Sequence, residues 1–115
     1  MVVYEFNFRK IEVRKNYQHL GLYLFANLAE HQAIYINYTA KIFPKDKKVS
    51  SHLMSRSNAF ENKNGDWDNF GWHKFFDWKT MEDHYLDCGK LEMEVHVIIN
   101  EMFGFPREEL RNFWM

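Results

Sequence analysis

The chain has 115 residues, 46% of them hydrophobic and 18% aromatic, and a formal net charge of −1. That composition makes one ordinary domain with a core of its own, and excludes both a disordered chain and bulk electrostatic attraction to nucleic acid. The single cysteine, Cys88, excludes an intramolecular disulfide and a paired-cysteine zinc site, and suits a reducing setting, cytoplasmic or nuclear.

In chain order, the dominant rhythm is period two, rich in β-branched and aromatic residues, which predicts strands. Tyr4, Phe6 and Phe8 alternate with polar neighbours, and Ile11 and Val13 continue on the other parity. A bulge or bend near Arg9–Lys10 would absorb that slip. Asn16-Tyr17-Gln18-His19 reads as a turn. Leu20, Leu22 and Leu24 then mark one face of a second strand, and Ala33 to Phe43 a third. Pro44-Lys45-Asp46-Lys47 ends the third strand. A weaker strand follows in KVSSHLMSRSNAF.

Asn64 to Phe76, NGDWDNFGWHKFF, mixes turn residues with five large rings and reads as a packed loop with some rings displayed. Trp78 to Tyr85 predicts a helix of about two turns. The clearest strand is the last, with Leu91, Met93, Val95, Val97 and Ile99 on one face. Pro106 followed by Glu108 and Glu109 has the form of a short helix start. Many strands, short turns and little helix predict an all-β antiparallel sandwich of about seven to eight strands with one or two short helices.

Catalytic and cofactor fingerprints are missing: there is no nucleophile elbow, P-loop, HExxH or dinucleotide motif. Asp66-Trp67-Asp68 opens like a calcium loop with Asp77 at its twelfth position. Phe70 stands where an oxygen ligand is needed, so a solvated acidic turn is the better reading. His84 and Cys88 are four residues apart, which raises a Cys/His hydrolase as a remote alternative. An exposed histidine beside a small buried thiol is the plainer expectation. Aromatic stacking on nucleic acid needs a basic groove, and the rings lie in the acidic half. Residues 61–115 carry six Lys/Arg against twelve Asp/Glu, residues 1–60 nine against four. No stretch reaches the length of a membrane span. No cofactor, metal, nucleic-acid or membrane partner is expected.

The run Phe70-Gly71-Trp72-His73-Lys74-Phe75, the segment Trp78 to Asp83, the turn Tyr85-Leu86-Asp87-Cys88-Gly89-Lys90-Leu91 and the alternating strand Glu92 to Ile99 occur in a fixed order. Together with the hairpin-like Ile11–Lys15 and Leu20–Leu24, they resemble the MATH (TRAF-homology) family over roughly residues 4–100. The resemblance implies a MATH-like sandwich over residues 1–101. Residues 102–115 then form a tail similar to the linker that leads from MATH into BTB domains. Relatives holding both domains are substrate adaptors of cullin-type ubiquitin ligases, so this chain is expected to have the substrate-binding half and no BTB domain. The family usually begins one strand earlier, so an uncovered edge strand is expected, with homo-oligomerisation as the structural alternative. By position, Phe70 and Trp72 are implied to line a shallow groove for an extended peptide of a protein partner, around Gly71. Asn58 stands where relatives have a third groove aromatic.

Overall fold

The computed structural model describes residues 9–105 of the chain. Six strands and one helix follow one another: β1 (Arg9–Asn16), β2 (His19–Ala26), β3 (Ala33–Phe43), β4 (His52–Glu61), β5 (Asp68–Asp77), α1 (Trp78–His84) and β6 (Glu92–Phe103). Every pairing is antiparallel, in two three-stranded sheets ordered β1-β2-β5 and β4-β3-β6. The fold is therefore the expected all-β sandwich. The Tyr4–Phe8 alternation and the helix start at Pro106 lie outside the described residues. β6 continues to Phe103, so the boundary drawn after residue 101 falls within a strand.

Alternation builds the core. In β3, Ile34, Ile36, Tyr38, Ala40 and Ile42 are all buried, with Tyr35 and Asn37 facing outward. Leu20, Leu22, Leu24 and Ala26 of β2 meet them from the other sheet. Met93 and Val95 of β6 complete that layer. The pairing of β6 with β3 then shifts opposite Tyr35/Ile36. One residue is added there, the parity flips, and Met102 packs against the core where strict alternation would turn it out.

β1 and β2 form a hairpin in uninterrupted register from Arg9↔Ala26 to Asn16↔His19. The bulge expected near Arg9–Lys10 therefore does not occur in this pairing. Only Tyr17 and Gln18 form the loop, and Tyr17 sits at φ 55° with 95% of its surface exposed. A two-residue hairpin turn demands that left-handed geometry, which costs an L residue other than Asn or Gly about 1 kcal/mol. Tyr17→Asn is expected to raise stability by up to about 1 kcal/mol, read as a higher urea midpoint with an unchanged slope.

The largest departure from the sequence reading is at the aromatic stretch, which is not a loop. Only Asn64 and Gly65 form a tight turn, at φ 54° and 89° between the bridged Lys63 and Asp66. Asp68 to Asp77 is strand. Its parity is hidden because the pairing with β2 is irregular. Trp72 is opposite Leu22, but Phe76 is opposite Leu20. β5 takes four steps where β2 takes two, so Phe70, Trp72 and then Phe75 turn inward on mixed parity.

Asp77 ends β5 and caps α1. Its Oδ2 accepts hydrogen bonds from the Thr80 amide (2.9 Å) and the Thr80 hydroxyl (2.8 Å). These bonds, the backbone one foremost, hold the Asp77 carboxyl below its ordinary 3.8. The folded value lies below the unfolded one. The cap's contribution is thus present above pH 3.8 and is lost as pH falls through the folded value. The Thr80 amide resonance should track this titration below pH 3.8 and stop doing so in Asp77→Ala.

Candidate functional site

β4 and β5 are edge strands of different sheets: among the described residues β4 pairs only with β3 and β5 only with β2. They face each other across the open margin of the sandwich, joined by side chains and no strand ladder. Phe60 meets Phe70 edge to face at 5.0 Å. The Glu61 amide donates to Asp68 Oδ2 at 3.0 Å. His52 Nε2 lies 2.8 Å from the Phe75 carbonyl. Midway, Arg56 Nη1 donates to the Gly71 carbonyl.

Four residues singled out from the sequence, Asn58, Phe70, Gly71 and Trp72, come together on this margin. Asn58 Oδ1 accepts from the Tyr38 hydroxyl at 2.6 Å. The Tyr38 ring stands edge-on to Trp72 at 5.3 Å. Trp72 also meets Phe75, at 5.4 Å. Arg56 lies over the Trp72 ring, 5.9 Å from its centroid, and binds the carbonyl of the preceding Gly71.

The geometry corrects one expectation. Trp72 is only 8% exposed and belongs to the core, and Phe70 is half-buried against it. Neither ring stands free in solvent. Both share the inward parity of Asp68, so β5 turns them between the sheets, and Arg56 covers the margin side of Trp72.

Tyr38 and Arg56 were missed in the sequence reading, yet a signal existed. Counting back from the buried Phe60 in steps of two, the core-facing parity of β4 reads Asn58, Arg56, Met54, His52. Polar side chains on an inward parity mark the mouth of a sandwich, where an edge strand is reached by water. Tyr38 is directly opposite Arg56 in the β3–β4 register.

Burial pushes the Tyr38 phenol up to about 12, with the Arg56 charge pulling the other way. The phenol is therefore neutral at physiological pH and keeps its proton for Asn58. The folded value is above the unfolded 10, so its share of stability is complete below pH 10 and disappears as pH rises through about 12. Tyrosinate absorbance should show a late step near 12 that loses the Tyr38 phenol in Tyr38→Phe, while Tyr85, also raised by burial, keeps titrating late.

The other candidates fall elsewhere. Asp68 is buried and accepts from the Glu61 and Asn69 amides, and Asp77 caps α1. They occupy opposite ends of a ten-residue strand, which cannot wrap around one calcium ion. His84 is exposed in the last turn of α1. Cys88 is exposed too, which corrects the expectation of a buried thiol. With Gly89 it forms the turn at φ 52° and 75° between Asp87 and Lys90. Among the described residues no hydrogen bond joins His84 to Cys88.

A family model for the MATH domain matches residues 3–99. The chain belongs to the MATH-domain family. MATH domains are protein-interaction modules, so the chemistry to be sought at this margin is recognition. No curated protein matches this MATH domain. The matched span runs from before the described residues to Ile99 in β6, and so contains the whole β4–β5 margin.

Proposed function

We propose that this MATH domain is a non-catalytic module that binds a short extended peptide of a partner protein along the outer edge of β5. Phe70 and Trp72 form the apolar floor, Gly71 the backbone contact and Asn58 the polar flank. The observation that carries the reading is convergence: a free strand edge, a half-buried ring and polar groups on an inward parity meet on one margin. An added strand gains affinity from main-chain hydrogen bonds and specificity from alternate side-chain pockets. Gly71 lets β5 lie close against β2, where a Cβ would meet the Leu22 carbonyl, and so holds the edge in place. By resemblance, the peptide belongs to a substrate brought to a ubiquitin ligase inside the cell, with the ligase-docking part supplied outside residues 1–101.

The test is a displayed library of random ten-residue peptides selected on the folded domain, followed by amide chemical-shift mapping of the winners. Shifts concentrated at Arg56–Asn58 and Phe70–Trp72 are the expected result. Shifts at the Tyr17 hairpin end, or peptides that bind equally well to a variant with Phe70→Ala, would sink the reading.

Self-association is a second reading. β6 has a free outer edge among the described residues, and Ile98 beside it is 63% exposed. The same outer face carries the exposed rings of Tyr35 and Phe103, in contact at 5.5 Å, and Leu53, around a polar centre where Thr39 bonds Ser55 and Asn37 bonds Ser57. Light scattering across a hundredfold concentration range separates the two readings, and a constant monomer mass removes the second.

A further inference from the structure

We infer that Arg56 is a displaceable cover of the β5 edge and selects peptides that carry an acidic side chain. The inference rests on the peptide-binding reading above and adds the chemistry of the ligand. A strand adding to β5 needs the main-chain acceptors on its outer edge. The Gly71 carbonyl is one of them, because a side chain from the facing edge strand can reach it, and Arg56 already holds it. The same guanidinium lies over the Trp72 ring. One movement of Arg56 therefore frees a backbone acceptor and uncovers part of the aromatic floor.

That movement leaves the guanidinium in need of a charged partner. The phenol opposite accepts a hydrogen bond from Arg56, but it is neutral and gives its own proton to Asn58, so it supplies an acceptor and no charge. Asp68, the buried carboxylate of this margin, is engaged by two backbone amides. Glu61 pairs with Lys63. Among the described residues no carboxylate forms an ion pair with Arg56. A ligand carboxylate can fill that role through two parallel N–H···O bonds, the strongest and most directional contact available to arginine. A neutral peptide offers no such replacement and must compete with the Gly71 bond. The site thus discriminates by what the ligand returns to Arg56.

The experiment is the same peptide selection run in parallel on the natural domain and on Arg56→Gln, whose exposed site makes the substitution compatible with folding. Each winning peptide is also synthesised with its acidic residue changed to the amide. Aspartate or glutamate should be enriched at one position on the natural domain and not on Arg56→Gln. The acid-to-amide change should weaken binding roughly 10–100-fold on the natural domain and less than about threefold on the variant. Arg56→Lys should keep only part of the preference, because lysine lacks the planar fork. Winners that map to the β5 margin without acidic enrichment would overturn the role of Arg56 while leaving the peptide-binding reading intact. A selection that yields no binder to the margin would remove both.

Discussion

Trp72→Ala is expected to cost the domain about 3–5 kcal/mol, the range for deleting a large buried ring. The indole is nearly enclosed and contacts Tyr38 and Phe75 edge-on. Those contacts span both sheets, since Tyr38 is in β3 and Phe75 in β5. The cavity left behind would lie where the sheets face each other, and neither can move into it without breaking register. Total stabilities of small domains are about 5–15 kcal/mol, so the variant should be marginal at 37 °C. Urea denaturation followed by circular dichroism measures this directly. A loss below about 1 kcal/mol would mean that the ring is not part of the core. Loss of peptide binding by Trp72→Ala alone is thus uninformative, and Phe70→Ala, at a half-buried ring, is the better probe of the margin.

Gly71→Ala should cost about 1–3 kcal/mol, near the top of that overpacking range, and should disturb the site more than any other single methyl group. A Cβ built on Gly71 would be 2.1 Å from the Leu22 carbonyl oxygen and 2.8 Å from the Tyr23 Cα. Both are backbone atoms of the paired strand, so no rotamer change gives relief. β5 would have to move away from β2, carrying Phe70 and Trp72 with it. Gly65 and Gly89 have open space around a built Cβ and are glycine for their positive φ alone. Amide exchange at Leu22 and Tyr23 should accelerate in Gly71→Ala. If both amides stay as protected as in the natural domain, the close approach of the two strands is wrong.

Much of the architecture was legible in the chain. β3 was read with its actual ends, Ala33 and Phe43, because five apolar residues alternate without interruption. The β1–β2 hairpin, the Leu20–Leu22–Leu24 face and α1 were legible for similar reasons. Each depends on local periodicity and on turn or cap residues adjacent in sequence. β5 was misread because its register with β2 skips, and a skip is a property of the pair. The exposure of Cys88 was misread because a two-residue turn that points outward carries no periodic signal.

The candidate site divides in the same way. The order of motifs already pointed to Phe70, Gly71, Trp72 and Asn58, and the residue alternation alone predicted a sandwich. The chain could not show that Trp72 lies inside that sandwich, or that Arg56 closes the margin above it. Alternation tells which side chains share a face of a strand. What covers that face depends on which strands become edges and which edge lies opposite. That pairing joins Arg56 to Gly71 across fifteen positions and Tyr38 to Trp72 across thirty-four, and only the folded chain decides it.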